Sequence, residues 1–316
     1  MMNEHSAVDY SIVLPVYYNE GSLKGVMESL KEQVLNANPH RRGEVIFVDD
    51  GSGDGSFEEL VSIQARYPGV VRIVKLTRNF GQVNALMAGF SMAKGRCVVA
   101  MSADGQDAPS LINEMFVSHF DEGHEVVICS RSERDESLYR IVTSRVFYGI
   151  MRRLVFPNMP SGGFDFALLG RRALDVILRM RESNPFFQGQ ILWTGFKPKV
   201  IPYRREARTA GTSRWTFGRK LTYLIDGILS YSFAPIRLIS VLGIVVAFMG
   251  FLYALIVLVV RLVGGIPTQG WAPLMIVILL IGGIQMIMLG VIGEYVWRAL
   301  EQARKREPYV IDRIVE

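Results

Sequence analysis

Residues 44–56 have the sequence Glu-Val-Ile-Phe-Val-Asp-Asp-Gly-Ser-Gly-Asp-Gly-Ser, an apolar run that ends in a polar loop rich in aspartate and glycine. The apolar part, Glu44 to Val48, is typical of a strand buried on both faces of a sheet. An earlier stretch has the same form, since the apolar run Ser11 to Val16 ends in the polar segment Tyr17 to Glu20. The sequence therefore predicts buried strands that end in polar loops.

Strand-like and helix-like segments alternate on both sides of this stretch. The expected strands are Ser11 to Val16, Glu44 to Val48, Val70 to Leu76, Arg96 to Met101 and Val126 to Cys129. The expected helices between them are Ser22 to Leu35, Phe57 to Tyr67, Gln82 to Ala93 and Pro109 to Phe120. This order predicts an α/β fold with a mostly parallel sheet and helices on both faces. Ligands of such sheets bind at the carboxyl ends of the strands, so the residues just after each strand form the candidate site.

After Ser130 the strand-like and helix-like segments alternate less regularly. Helices are expected at Leu138 to Phe156 and Arg171 to Met180, and strands at Phe164 to Leu169 and Lys199 to Tyr203. The final residues, Glu307 to Glu316, alternate in the manner of a strand. That pattern predicts either pairing with a neighbouring subunit or a frayed tail.

Two uncharged apolar stretches of 23 residues each precede that tail, Leu238 to Val260 and Trp271 to Gly293. A helix of this length measures about 34 Å, enough to cross a hydrocarbon core of about 30 Å. Arg261 is the only charged residue between Arg237 and Glu294. The sequence therefore predicts a two-helix transmembrane hairpin.

The segments around the hairpin suggest a division of the chain into four parts. Thr216 to Ser232 mixes apolar residues with Arg219, Lys220 and Asp226, which suits an amphipathic helix in the membrane interface. Pro235 is expected to break the chain before the first span. The predicted parts are an α/β domain over residues 1–215, an interfacial segment over 216–236, the hairpin over 237–296 and a tail over 297–316.

Charges that flank the hairpin favour one orientation in the cell (inner) membrane. Basic residues precede the first span and follow the second, at Arg237, Arg298, Arg304, Lys305 and Arg306, whereas the loop between the spans holds only Arg261. The positive-inside rule then places both termini in the cytoplasm. Met1 to Asp9 is polar and has no secretory signal, so the α/β domain is also expected to be cytoplasmic.

The net charge of +5 is not spread evenly. Arg204 to Lys220 holds six basic residues and one acid, Glu206. This cluster suits anionic headgroups or a phosphorylated substrate better than a nucleic-acid duplex, so no nucleic-acid partner is expected. Cys97 and Cys129 fall in predicted buried strands and are interpreted as reduced, structural thiols.

Two polar loops after predicted strands carry candidate ligand-binding groups. Asp49 and Asp50 could accept hydrogen bonds from a base imide and from ribose hydroxyls, or the loop could be a turn in which Asp54 or Ser56 caps the next helix. The other loop follows the expected strand Arg96 to Met101. Asp104 and Gln106 in this loop point the same way if the chain stays extended, which would suit Mg²⁺ or Mn²⁺. The alternative there is a loop in which Asp107 caps a helix.

Four segments together resemble the inverting GT-A glycosyltransferases of family 2: Pro15 to Glu20, Asp49 to Ser52, Arg78 to Gly81 and Ala103 to Asp107. The branch that acts on polyprenyl phosphates, which includes dolichol-phosphate mannose synthase and bacterial polyprenyl-phosphate glucosyltransferases, is the most similar. The basic segment Arg205 to Trp215 and the double-span C-terminus extend the resemblance over nearly the whole chain. It implies a GT-A domain, a nucleotide-sugar donor, a polyprenyl phosphate acceptor and Mg²⁺ or Mn²⁺.

The resemblance also implies roles for individual residues. Asp165 matches the position usually assigned as the catalytic base, and Asp104 with Gln106 would bind the metal. Nucleotide-binding positions are Pro15, Tyr17, Asn19, Glu20, Asp49, Asp50, Arg78 and Asp104. Positions that would hold the acceptor phosphate or the donor diphosphate are Arg131, Arg134, Arg205, Arg208, Ser213 and Arg214.

Two departures from the family pattern bear on the metal. Ser102 replaces the first acid of an Asp-x-Asp motif, and Gly105 stands where leucine is frequent. A non-catalytic subunit that binds nucleotide sugars is therefore one alternative. A processive polysaccharide synthase is another, although Gln188 to Trp193 lacks the arginine of the Gln-x-x-Arg-Trp motif and two spans make a poor channel.

The resemblance favours UDP-glucose as the donor, but no residue separates it from UDP-N-acetylhexosamine, UDP-4-amino-arabinose or GDP-mannose. The oligomeric state is open, with a homo-oligomer among the alternatives.

Overall fold

The computed structural model describes residues 8–133, 148–160, 162–180, 182, 185–204, 227–229, 231–232, 234–263 and 271–316. The chain divides into two compact units. The first comprises Met1–Leu224 and Arg306–Glu316, and the second comprises Ile225–Lys305.

The first unit is built on one mixed eight-stranded sheet. Its strands are β1 (Tyr10–Val16), β2 (Gly43–Asp49), β3 (Val71–Leu76), β4 (Cys97–Ala100), β5 (Val126–Glu133), β6 (Phe166–Gly170), β7 (Lys199–Arg204) and β8 (Ile311–Val315). They lie in the order β7-β5-β6-β4-β1-β2-β3-β8. The central strands β4, β1, β2 and β3 are parallel, whereas β6 and β8 run antiparallel to their neighbours. The predicted α/β class is confirmed.

Successive side chains along each strand point to opposite faces of the sheet and contribute to two hydrophobic cores, one on each face. In β1, Ile12, Leu14 and Val16 belong to the first core and Val13 belongs to the second. All four side chains are fully buried. Strands covered on both faces need apolar residues at successive positions, which explains the unbroken apolar runs in the sequence.

Helices cover both faces. The first core packs against Leu23–Leu30, Ser56–Arg66 and Leu111–Phe116. The second packs against Gln82–Met92, Arg171–Arg179 and Phe187–Trp193. Two of these helices continue as single π-helical turns, Lys31–Leu35 and Val117–Asp121. The predicted segments therefore lie within a few residues of the observed ones, except that Phe187–Trp193 was not predicted.

The prediction of a helix over Leu138 to Phe156 falls mostly outside the described residues. Residues 148–154 are helical.

The C-terminal segment forms a strand of the chain's own sheet. β8 pairs antiparallel with β3, and the Thr77 N–H donates to the Val310 carbonyl at 3.0 Å. Tyr309 packs on the second core and its hydroxyl donates to Ser91 Oγ at 3.1 Å. Both alternatives predicted for this tail, pairing with another subunit and fraying, are therefore wrong. The edge of β3 offers unpaired backbone groups that this segment satisfies.

The second unit contains two long apolar helices that contact each other, Ala234–Val263 and Trp271–Ala303. Windows over Ile236–Tyr253 and Leu280–Ala303, with mean hydropathy of 2.2 and 1.5, are long and apolar enough to cross a membrane by length and composition. Pro235 lies in the first turn of the first helix and does not break the chain before it, contrary to expectation. Proline is tolerated there because a first-turn N–H has no helical acceptor.

The second helix extends past the predicted span, and Arg298 and Glu294 form an i,i+4 ion pair at 2.9 Å within that extension. The interfacial helix predicted at Thr216 to Ser232 lies mostly outside the described residues. Within it, the structure describes residues 227–229, 231 and 232.

Candidate active site

The topology gathers the predicted site residues at one edge of the sheet. The carboxyl ends of the parallel strands β1, β2, β3 and β4 share this edge. β6 runs the other way and pairs Ala167 with Ala100, so Asp165 lies just beyond the end of β4. The residues brought to this edge are Pro15, Tyr17, Asn19, Glu20, Asp49, Asp50, Arg78, Asp104, Gln106 and Asp165. Arg131 lies on β5 near its carboxyl end, where it pairs with Tyr203.

The other phosphate-binding candidates, Arg134, Arg205, Arg208, Ser213 and Arg214, lie outside the described residues. The same holds for the side chain of Arg131.

Serine hydroxyls and a carboxylate join the loop after β1 to the loop after β2. The Tyr18 N–H donates to Ser52 Oγ at 3.1 Å, and the Asn19 N–H donates to Ser56 Oγ at 2.9 Å. Glu20 Oε2 accepts the Gly55 N–H at 3.0 Å. These bonds hold Tyr18 at a φ of 58°, an uncommon conformation for a non-glycine residue.

The helix that follows β2 has Gly55 as its N-cap and no side-chain cap. The alternative that Ser56 is a helix cap is wrong, because its hydroxyl is used by Asn19. Asp54, the residue before this N-cap, accepts the N–H of Ser56 at 3.2 Å, and Ser56 is the first residue of the helix.

Asp49 and Asp50 are buried and organise the loops around them. Asp49 Oδ1 accepts the Ser52 N–H at 3.0 Å. The two oxygens of Asp50 accept the N–H groups of Phe80 and Gly81 at 2.7 and 3.0 Å, at the N-terminus of helix Gln82–Met92. Burial raises the pKa of Asp49, and it raises the pKa of Asp50 to about 6. The Asp50 carboxylate thus ties the loop after β2 to the loop after β3.

A glycine permits this close approach of the two loops. Gly51 has a φ of 69°, and a Cβ placed on it would lie 2.5 Å from the carbonyl carbon of Arg78. Arg78 itself is exposed, and its guanidinium lies 4.1 Å from the centre of the Phe80 ring. The Arg78 guanidinium is therefore held at the surface beside the Asp50 contacts.

We expect the stability of the protein to depend on the ionisation of Asp50. Because its pKa is raised to about 6, the folded state binds the proton more tightly than the unfolded chain does. This contribution is complete below about pH 4 and is lost as the pH rises through about 6. The free energy of unfolding of the wild type, relative to Asp50→Asn, should fall by about 2 to 3 kcal/mol between pH 4 and pH 7. Denaturant unfolding at both pH values measures this difference, and a constant difference would contradict the expectation.

The loop after β4 is a turn, so the predicted extended arrangement of Asp104 and Gln106 is wrong. Gly105 has a φ of 70°, and Asp104 Oδ1 accepts the Gln106 N–H at 3.2 Å. An aspartate that captures the N–H two residues on, followed by a left-handed glycine, produces this turn. It still keeps Gln106 next to the Asp104 carboxylate.

The chemistry of this turn fits a hard divalent cation. Asp104 and Gln106 are partly exposed and offer carboxylate and amide oxygens. The described residues contain no group of three or more His, Cys, Asp or Glu side chains that could hold a metal. Mg²⁺ and Mn²⁺ are compatible with few protein ligands, because substrate phosphates and waters complete their coordination.

Asp107 fastens this loop to the sheet. Its Oδ1 accepts the Tyr203 hydroxyl at 2.9 Å and its Oδ2 accepts the Ser102 N–H at 3.3 Å. The following helix Leu111–Phe116 has Ser110 as its N-cap, so the alternative that Asp107 caps it is wrong. The contact with Tyr203 could not be found from sequence, since 96 residues separate the pair.

Loss of the Tyr203 hydroxyl should destabilise the loop. In Tyr203→Phe the buried Asp107 carboxylate loses the hydrogen bond from the Tyr203 hydroxyl, so we expect the free energy of unfolding to fall by about 1 to 3 kcal/mol. Tyr67→Phe is the matched control, because the Tyr67 hydroxyl donates to Glu28 at an exposed position. Denaturant unfolding of both variants should show a clear loss only for Tyr203→Phe.

The Asp165 side chain is exposed beyond the end of β4. The flanking Phe164 and Phe166 are buried in different cores, so the backbone turns at Asp165. Gln188 Nε2 donates to Asp165 Oδ1 at 3.0 Å and to the Phe164 carbonyl at 2.9 Å. A carboxylate that is fixed and yet exposed can act on a bound substrate.

Cys97 and Cys129 are buried and unpaired. Burial raises the pKa of both thiols, that of Cys97 to about 12. The structural interpretation of these cysteines is consistent with this environment.

Known proteins resemble this chain along almost its full length. A family model for glycosyl transferase family 2 matches residues 11–178. The uncharacterized glycosyltransferase YkcC of Bacillus subtilis (strain 168) is 36% identical over 99% of this chain and 95% of its own length. The bactoprenol glucosyl transferase of Shigella phage SfII is 30% identical over 96% of this chain and 97% of its own.

Solved structures resemble the chain more loosely. Glucosyl-3-phosphoglycerate synthase from Mycobacterium tuberculosis, in complex with Mn²⁺ and UDP-glucose, matches 70% of this chain and 78% of its own with a TM-score of 0.49 and 19% identity. This likeness is too distant to bear on the site. The family model, in contrast, spans more than half of the 316 residues, and the relatives match nearly the whole chain. The chain therefore belongs to glycosyltransferase family 2 and is a glycosyltransferase.

Proposed function

We propose that this enzyme transfers glucose from UDP-glucose to the phosphate of a polyprenyl lipid, such as undecaprenyl phosphate, with inversion at the anomeric carbon. The product, a polyprenyl-phosphate glucose, would serve modification of a cell-envelope glycan or lipid. Relatives named bactoprenol glucosyl transferases, about 30% identical along almost their full length, support the lipid acceptor and the sugar.

One observation carries the proposal: polar loops at the edge of a glycosyltransferase sheet occur in the same chain as two span-length apolar helices. A nucleotide sugar is soluble, whereas a polyprenyl phosphate is confined to the bilayer, since exposing its tail costs about 0.8 kcal/mol per CH₂. An enzyme that joins the two needs a water-facing donor site and an anchor in the membrane. Basic residues on both sides of the helices support a cytoplasmic location for the donor site and both termini.

The reaction is a single displacement. A phosphate oxygen of the acceptor forms a bond to the anomeric carbon, and the bond from that carbon to the donor diphosphate breaks as UDP leaves with the electron pair. A phosphate monoester has its second pKa near 6, so the acceptor is largely dianionic at neutral pH. The nucleophile therefore needs little help in losing a proton.

The main obstacle is charge repulsion between acceptor and donor. Two unit charges 4 Å apart repel by about 4 kcal/mol at an effective dielectric constant of 20. Guanidinium groups address this repulsion by bidentate contacts with phosphate oxygens. The arginines assigned to this task are Arg131, Arg134, Arg205, Arg208 and Arg214, with Ser213 beside them.

The loops after β1, β2 and β3 would bind the nucleotide. Tyr17, Glu20 and Arg78 are exposed there, and Pro15 and Asn19 are partly exposed. Asp49 and Asp50 are buried and hold these loops through hydrogen bonds from the Ser52, Phe80 and Gly81 N–H groups. A base imide or ribose hydroxyl would reach them only if the loops above them open, because both carboxylates are buried.

Asp104 and Gln106 would hold Mg²⁺ or Mn²⁺, which, when bound, neutralises charge on the donor diphosphate. Asp165 would orient the sugar and balance the positive charge that develops at the anomeric carbon.

A transfer assay tests this function. Purified full-length protein is incubated with radiolabelled UDP-glucose, undecaprenyl phosphate and Mn²⁺, and the organic-extractable label is counted. We expect one labelled lipid and release of UDP. Transfer only from UDP-N-acetylhexosamine, UDP-4-amino-arabinose or GDP-mannose would refute glucose but keep the lipid acceptor. Long polymer, or donor binding without turnover, would refute the proposal.

A further inference from the structure

We infer that Gln188 is a positioning residue that fixes the Asp165 carboxylate for glycosyl transfer, an inference that rests on the function proposed above. Its side chain belongs to the segment Gln188 to Trp193, which lacks the arginine of the Gln-x-x-Arg-Trp motif and has no part in the proposed binding of donor or acceptor.

The bonding geometry joins the carboxylate to the backbone beside it. One nitrogen, Gln188 Nε2, donates to Asp165 Oδ1 at 3.0 Å and to the Phe164 carbonyl at 2.9 Å. A primary amide carries two hydrogens on that nitrogen, so both acceptors can be served at once. The position of the carboxylate is therefore set relative to the main chain of the preceding residue.

The amide itself is held firmly. Gln188 is only 4% exposed, and it belongs to the short helix Phe187–Trp193. Phe187 and Ile191 anchor that helix in the second core, which also contains Phe164. The donor and the backbone of its acceptor are thus built into one packed cluster, whereas the Asp165 side chain emerges from it.

The segment before Asp165 is also constrained. Gly163 has a φ of 63°, and the ring of Tyr148 occupies the space that a Cβ on this residue would need. Phe164 and Phe166 are buried in opposite cores. A side chain on such a fixed backbone still has rotamer freedom, and the Gln188 contact restricts it.

This contact matters because transfer requires the carboxylate at a defined place beside the sugar. A displacement of about 1 Å in a catalytic arrangement can cost about 100-fold in rate. Removing the amide should therefore reduce kcat, with little change in KM for the donor. A residue with a purely structural role would instead change stability and leave the kcat of the folded fraction unaltered.

Gln188→Glu is the decisive variant. It keeps the shape of the side chain but presents oxygen to both acceptors. With UDP-glucose and undecaprenyl phosphate, we expect kcat to fall about 10-fold or more and the donor KM to stay within about threefold. Gln188→Met, which has no charge, serves the same purpose if the glutamate variant does not fold.

Gln190→Glu is the matched control. Gln190 lies on the same helix, is 1% exposed, and its amide contacts Glu182 at 3.5 Å. Gln190→Glu introduces a buried carboxylate, as Gln188→Glu does, but two residues further along the helix. We expect it to lower Tm but to leave the kcat of the folded protein near that of the wild type.

Two double-mutant cycles with Asp165→Asn decide whether Gln188 acts through Asp165. In that background, Gln188→Glu should change kcat less than about twofold and should lower Tm less than it does in the wild type. The Tm cycle needs no substrate. Equal effects in both backgrounds, or an unchanged kcat for Gln188→Glu alone, would overturn the inference and leave the proposed function intact. Full turnover by Asp165→Asn would refute the role of Asp165 and this inference together.

Discussion

Asp165→Asn is expected to lower kcat by about 100- to 1,000-fold while the donor KM changes by no more than about threefold. The variant keeps the shape of the side chain but removes the negative charge that, in the proposed mechanism, balances the positive charge developing at the anomeric carbon. An interaction made only in the transition state affects kcat and leaves ground-state binding almost unchanged. Because the acceptor phosphate is already ionised, the loss reflects orientation and electrostatics more than proton removal.

The measurement is steady-state transfer from UDP-glucose to undecaprenyl phosphate, with donor binding followed separately by titration. Asp175→Asn is the control, because Asp175 is a partly exposed aspartate on helix Arg171–Arg179 that pairs with Arg171 at 3.0 Å. It should behave as the wild type does. A loss confined to KM would assign Asp165 to donor binding instead.

Asp104→Ala is expected to lower transfer by at least about 1,000-fold. Of the two acids in the turn after β4, Asp107 is engaged by Tyr203 and Ser102, whereas Asp104 is partly exposed. Without it, the amide of Gln106 is a poor ligand by itself, and the negative charge on the departing diphosphate stays uncompensated. Raising the Mn²⁺ concentration should restore only a small part of the activity.

Initial rates over a Mn²⁺ titration measure this effect. Asp175→Ala provides the control for loss of a carboxylate elsewhere on the domain. Ser102→Asp offers a gain-of-function comparison, because it recreates two acids in Asp-x-Asp spacing and should lower the Mn²⁺ concentration needed for half-maximal rate. Full activity of Asp104→Ala without any shift in the Mn²⁺ requirement would contradict the metal assignment.

Local patterns in the sequence were sufficient to find the strands. β1 and β2 differ from their predicted bounds by one residue at one or both ends, because strands buried on both faces require continuous apolar runs. The loops at the carboxyl ends of these strands are predictable as well, because each apolar run ends in a polar segment. The extended chain expected at Asp104 is wrong, although an Asp-Gly pair in the sequence indicates a turn there.

Contacts between distant segments could not be predicted. Asp50 binds Phe80 and Gly81 about 30 residues away, and Gln188 binds Asp165 across 23 residues. Such pairs depend on how the loops meet, and a single sequence carries no pattern for that. The sequence predicts a strand at the tail but not its partner β3, because β3 (Val71–Leu76) is distant from β8 (Ile311–Val315) along the chain.

The order of β8 in the chain has a consequence for biosynthesis. β8 is translated only after both apolar helices, so β3 lacks this partner strand until residues 311–315 have been synthesised. An edge strand with unpaired backbone N–H and C=O groups can pair with a strand of another molecule and cause aggregation. A fragment cut before residue 225 should consequently precipitate, and supplying residues 306–316 in the same polypeptide should restore its solubility.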